Sequence, residues 1–186
     1  MTVEGTLREG DQKMRSAVSV TQDELSSIRT GRANPKLLDR LTVDYYGTQV
    51  ALNQLASFSV PEPRLLVIQP FDRAAMSSME KAILSSDLGL TPSSDGNVIR
   101  LSFPPLTEER RKDLIKLARD RAEEGKVSVR NVRRHAKDAL ERLEHDHAIS
   151  EDDLRRAERE LQHLTDQFVA EIDKLLERKE QELTEV

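Results

Sequence analysis

Apolar residues recur at helical spacing near both ends of the chain and alternate with polar ones only in its middle. Between Leu7 and Ile28 the positions Leu7, Met14, Val18, Leu25 and Ile28, with Ala17 beside them, form one stripe. That spacing predicts an amphipathic helix, which Gly31 then stops. A longer seam runs through Ile115, Ala118, Ala122, Gly125, Val129, Val132, Ala136, Ala139 and Leu143, in alternating steps of three and four. Such a rhythm marks helices packed along their length. Thr107 can cap this helix, and Glu108 and Glu109 suit the positive end of its dipole. The seam ends near His147, where Ser150 and Asp153 form an acidic capping box for the next helix. There Leu154, Ala157, Leu161, Leu164, Phe168, Ile172, Leu175 and Leu176 repeat the pattern. Two long helices therefore form a hairpin, and the N-terminal helix adds the third stripe of an antiparallel three-helix bundle. A helix over 107–147 is about 60 Å long at ~1.5 Å per residue, so the bundle is elongated.

From residue 31 to 104 the texture changes. Leu41 to Tyr46 alternates, and Gly47-Thr48 leads into a second strand to Leu52, which predicts a hairpin. Leu65 to Ile68 reads as a buried strand, and Asp72 caps a short helix over Ala74 to Ser86 that ends near Gly89. A turn over Pro92 to Asn97 precedes a closing strand, Val98 to Phe103. The fold class is α+β in two domains: residues 1–30 and 105–186 form the bundle, and residues 31–104 form an inserted β/α/β domain. The chain crosses between them at Thr30-Gly31-Arg32 and at Phe103-Pro104-Pro105. Two short strands side by side suit a hinge, and the two prolines suit a rigid corner.

Composition changes this picture in one respect. Among 186 residues 34% are charged and 3% aromatic, a balance found in disordered chains, but strict periodicity argues for folded helices. There is no Cys, which excludes disulfides, zinc ribbons, iron-sulfur clusters and thiol nucleophiles. No apolar run approaches the roughly 20 residues of a membrane span, and the first residues lack a secretory h-region, so a soluble cytoplasmic protein is expected. The net charge of −5 argues weakly against nucleic acid, yet it is unevenly spread. Residues 105–142 hold twelve basic and eight acidic side chains, and residues 143–186 hold six basic and fourteen acidic ones.

Lys126, Arg130, Arg133, Arg134 and Lys137 lie in a window with no acidic residue. At ~100° per residue they gather on one side of the helix, roughly a third of a turn from the apolar seam. Arginine's planar fork matches phosphate oxygens and stacks on bases, which points to structured RNA. The alternative is a solvated face whose cations pair with acids of the next helix. Enzymatic signatures are missing: there is no GxxxxGK[ST], GxGxxG or GxSxG motif. His145 and His147 face apart on a helix end, so no metal site, no catalytic residue and no cofactor is expected.

Several motifs together resemble the bacterial ribosome recycling factors. They are IRTGRA at Ile28 to Ala33, VDYYGT at Val43 to Thr48, FDR at Phe71 to Arg73 and EKAI with SDLGL between Glu80 and Leu90. PPLTEERRKDL at Pro104 to Leu114, VRNVRR at Val129 to Arg134 and ISEDD at Ile149 to Asp153 complete the match. The resemblance implies an L-shaped, tRNA-like monomer whose small domain moves on a hinge at the two crossings. It implies binding to the large-subunit RNA of the post-termination ribosome and, with elongation factor G and GTP, dissociation into subunits, with no DNA or membrane partner. Arg130, Arg133 and Arg134 inherit the main RNA contacts, with Asn131 as a polar contact and Lys126 and Lys137 flanking them. A helical RNA-binding or coiled-coil adaptor is the competing function.

Overall fold

The computed structural model describes residues 2–185; Met1 and Val186, the outer ends of the expected bundle domain, lie outside the described residues. The chain divides into two compact units, Met1–Arg29 with Glu108–Glu185, and Thr30–Thr107.

The first unit is three helices: α1 (Val3–Ser27), α4 (Glu108–His145) and α5 (Glu151–Thr184). Met14, Val18, Ala122, Val129, Ala136, Leu140, Ala157, Leu161, Phe168 and Ile172 make one core among them. The buried line of α4 departs from the expected seam at both ends: Leu114 and Leu140 are buried, while Ile115 and Ala139 are half-buried. A straight helix drifts ~20° per seven residues against a strict 3-4 repeat, so over four repeats the seam leaves the core.

Three buried threonines carry no hydrophobic signal, and each satisfies its hydroxyl within its own helix. Thr6 donates to the Thr2 carbonyl at 3.0 Å, Thr21 to Ala17 at 2.9 Å and Thr165 to Leu161 at 2.8 Å. Gly125 faces Thr21: a Cβ at Gly125 would lie 2.1 Å from Thr21 Oγ1 and 3.0 Å from its Cγ2. The glycine thus sets how closely α1 approaches α4.

The turn from α4 to α5 is a Schellman motif. Ala148 N–H donates to the Leu143 carbonyl and His147 N–H to Glu144, both at 2.9 Å, with His147 at φ 58°. Ser150 and Asp153 then form the expected capping box, Asp153 N–H donating to Ser150 Oγ at 3.1 Å and Ser150 N–H to Asp153 Oδ2 at 3.3 Å.

The second unit holds a two-stranded hairpin, β1 (Thr42–Tyr45) with β2 (Thr48–Ala51), a short helix α2 (Leu52–Leu55), and a four-stranded antiparallel sheet. The sheet order is β3-β4-β6-β5, from β3 (Ala56–Glu62), β4 (Leu65–Pro70), β5 (Pro92–Ser94) and β6 (Ile99–Ser102). Leu66 opposes Leu101 and Ile68 opposes Ile99, which puts four fully buried side chains on one sheet face. The helix α3 (Met76–Leu84) adds Met76, Met79 and Ile83 to the same core. Both strands beyond the sequence reading, β3 and β5, are the sheet's edges. Pro92 to Ser94 is therefore strand, with Pro92 at its first residue, where an edge tolerates a missing N–H. The turn is confined to Asp95-Gly96-Asn97, whose Asp95 carboxylate accepts the N–H of Asn97 and of Val98 at 3.0 Å each.

Candidate nucleic-acid interface

Helix α4 runs unbroken through residues 126–137, so the five predicted cations sit at fixed angles on one surface. Their neighbours divide them. Lys126 is only 16% exposed and reaches Asp173 of α5 at 2.5 Å, with Glu123 at 3.8 Å. Lys137 lies between Glu158 of α5 at 3.4 Å and Glu141 at 3.5 Å, and these carboxylates raise its ammonium above the ordinary lysine value. These two lysines are what the alternative reading required, cations that pin α4 to the acidic helix.

The arginines are placed differently. Arg130 Nη1 donates to Glu123 Oε1 at 2.9 Å, with both side chains about half exposed. Arg133 Nη1 donates to Gln162 Oε1 of α5 at 2.9 Å, a neutral acceptor. Arg134 is exposed and makes no ion pair among the described residues. At ~100° per residue Lys126, Arg133 and Lys137 lie within about 40° of one another on the side of α5, while Arg130 and Arg134 point further outward. Exposed Asn131 lies beyond Arg134 on the same surface. A window free of acids at sequence level gains carboxylates from Glu123 and Glu141, just outside it, and from α5. Arg130 and Arg134 are exposed and Arg133 is half-buried, and each guanidinium has more donors than these contacts occupy, so the row can still bind phosphate oxygens.

The two connecting stretches, 28–34 and 103–107, are irregular. Gly31 has φ 76°, and a Cβ there would lie 3.2 Å from Leu106 Cγ and 3.7 Å from the Pro104 carbonyl oxygen. Ala33 N–H donates to Pro63 O and Phe103 N–H to Arg64 O, both at 2.8 Å, which ties both stretches to the turn between β3 and β4. Thr30, Gly31 and Arg32 are half-buried, Phe103 is buried, and Pro104 and Pro105 are exposed.

Two features went unseen in the sequence. Gln162 is one; only knowledge of which α5 residue opposes Arg133 could have found it. The other is aromatic exposure: Tyr46 is 79% exposed and Phe71 72%, and the Tyr46 ring lies 4.7 Å from that of Tyr45, whose hydroxyl donates to Asp72 Oδ2 at 2.9 Å. Asp72 also accepts the N–H of Ala74, and these bonds lower its carboxyl below the ordinary value.

Fold and surface together define a helical binding protein that presents an arginine row on a helix face and carries a separate β-rich unit inserted between its first and second long helices. The model of the family "Ribosome recycling factor" matches residues 21–184. A ribosome-recycling factor of Acidothermus cellulolyticus is 55% identical over 184 residues, covering 99% of this chain and 100% of the relative. That of Bacillus subtilis is 54% identical over 180 residues, 97% of each. A solution structure of a ribosome recycling factor matches with TM-score 0.78 and 45% identity, covering 100% of this chain and 99% of the other. The Thermus thermophilus ribosome recycling factor, from models of it and Escherichia coli elongation factor G bound to the Escherichia coli post-termination complex, matches with TM-score 0.66 and 49% identity over 98% of this chain and 99% of that one. The chain belongs to the ribosome recycling factor family, and it is a translation factor.

Proposed function

We propose that this protein, working in the cytoplasm, binds the post-termination ribosome through Arg130, Arg133 and Arg134 and, with elongation factor G and GTP, drives its dissociation into subunits. The factor catalyses nothing itself. The bundle, assigned residues 1–30 and 105–186, anchors on large-subunit RNA with Asn131 as an added polar contact. The inserted unit, assigned residues 31–104, swings on Thr30, Gly31, Arg32, Phe103, Pro104 and Pro105 when the GTPase acts on it. A relative placed together with elongation factor G on a post-termination complex supports the choice of partners.

One observation carries the reading: the acidic helix engages the two lysines with carboxylates, whereas it offers Arg133 only a neutral amide and leaves Arg130 and Arg134 exposed. Replacing Arg133 with Ala removes a charge-assisted contact of about 1.5–3 kcal/mol, and the slope of log affinity against log salt falls by about one ion. Titration of the variant against 50S subunits at several salt concentrations measures both. Unchanged affinity with an unchanged slope would refute the assignment. Lys126→Ala, by contrast, is expected to loosen the bundle more than it weakens ribosome binding.

A further inference from the structure

We propose that Gln162 is a positioning residue for Arg133, a neutral hydrogen-bonding latch that aims the guanidinium toward an RNA phosphate without cancelling its charge. The proposal rests on the reading of Arg133 as an RNA contact. Gln162 Oε1 accepts from Arg133 Nη1 at 2.9 Å, and its Nε2 donates to Asp166 Oδ1 at 2.8 Å. Asp166 therefore fixes the orientation of the amide, and the amide presents only its carbonyl oxygen to the arginine. This contact differs from its neighbours on the α4–α5 seam. Arg119 meets Glu180, Lys126 meets Asp173 and Lys137 meets Glu158, each a full carboxylate. Only at Arg133 do these four cross-helix contacts use an uncharged partner.

The setting suits an anion. Arg133, Lys137, Glu158, Leu161 and Gln162 line a cleft of about 200 Å³ between the two helices, enough to admit a phosphodiester group. Lys137 is held by Glu158 and Glu141, so Arg133 is the cation of this cleft with charge to offer. A carboxylate at position 162 would form a cross-helix ion pair and compete with phosphate for the same guanidinium. An amide costs the arginine no charge and yet restricts a side chain whose freedom is otherwise lost on binding.

Gln162→Glu, Gln162→Ala and Gln167→Glu are compared with wild type for binding to 50S subunits across a salt series, with Arg133→Ala and the double variant Arg133→Ala/Gln162→Ala alongside. Gln167 is exposed on the same helix, bonded to His163 at 3.1 Å, and adds the same charge away from Arg133. Gln162→Glu is expected to weaken binding about tenfold and to lower the salt slope by about one ion. Gln162→Ala should weaken it a few-fold with the slope kept, and should have no effect once Arg133 is gone. Equal losses for Gln162→Glu and Gln167→Glu, or additive losses in the double variant, would overturn the latch while leaving Arg133 as a contact. No effect of Arg133→Ala would overturn the reading beneath it. Circular dichroism of each variant checks that the bundle is kept.

Discussion

Gly125 offers a direct test of how the bundle is packed. Adding one methyl group at this position of α4 gains about 1 kcal/mol in helix propensity, and on an exposed helix Gly125→Ala would stabilise. Here the new Cβ would stand 2.1 Å from Thr21 Oγ1 and 3.0 Å from Cγ2, inside any permitted contact. Thr21 is buried and β-branched, and its hydroxyl is committed to the Ala17 carbonyl at 2.9 Å. It can move only by leaving that rotamer, which forfeits a buried hydrogen bond of about 0.5–1.5 kcal/mol, and because Thr21 Cβ would itself lie 3.1 Å away, α1 and α4 must also separate at an overpacking cost of about 1–3 kcal/mol. Set against the propensity gain of about 1 kcal/mol, the net effect is a loss of about 0.5–3.5 kcal/mol. Urea unfolding of the full chain, followed at 222 nm, reads this as a lower midpoint at constant m-value. Thr21→Ala in the same chain should restore most of the loss, since the clash lies between these two side chains. A Gly125→Ala protein as stable as wild type, or a loss that Thr21→Ala leaves untouched, would show that Gly125 does not set the helix approach.

Gly10, also buried in the bundle, should behave in the opposite way. Its Cβ would meet Ala136 and Leu161 at 3.8 Å, ordinary contact distances, so Gly10→Ala is expected to stabilise by about 0.5–1 kcal/mol in the same unfolding experiment. His147→Gly relieves a left-handed residue at the α4–α5 turn and should stabilise by a similar ~0.5–1 kcal/mol, whereas His147→Val should destabilise. Asp72, Asp95 and Asp153 all have carboxyls held below the ordinary 3.8, chiefly by bonds from the Ala74 N–H, the Val98 N–H and the Ser150 hydroxyl respectively. A depressed folded value means the stabilisation is complete above about pH 4 and drains away as pH falls toward the folded values, so thermal midpoints should drop through that range. Asp95→Asn should flatten this acid dependence, and an unaltered profile would contradict the assigned bonds.

The helices were legible because a buried stripe is a periodic signal: Met14, Val18, Ala122, Val129, Leu161 and Phe168 could be placed in the core from spacing alone. Thr6, Thr21 and Thr165 could not, because the bond that makes each buried hydroxyl tolerable runs to its own helix and leaves no trace in hydropathy. Strand β6 alternates because one face meets the core, and β4 was legible as an unbroken apolar run, Leu65 to Ile68. Edge strands β3 and β5 are wetted on more sides, and most of their residues are exposed, so no alternation marks them. The cation row was likewise legible as a row. Its division into two lysines paired with carboxylates, an arginine with a neutral partner and two exposed arginines depends on which α5 residues stand opposite, and that pairing between residues some twenty to fifty apart is set by the hairpin turn at His147.

The contact of Gly31 with Pro104 and Leu106 bears on the order in which the chain can fold. Without structure between them, α1 and α4 must find each other across a loop of roughly 80 residues, whose closure entropy exceeds that of a four-residue connection by about 2–3 kcal/mol. Once the inserted unit has folded, its own first and last residues touch. The long loop then acts as a short one. A ribosome making this chain finishes that unit before it has made most of α4 or any of α5, so the middle of the polypeptide is ready to serve as the staple that brings its two ends together.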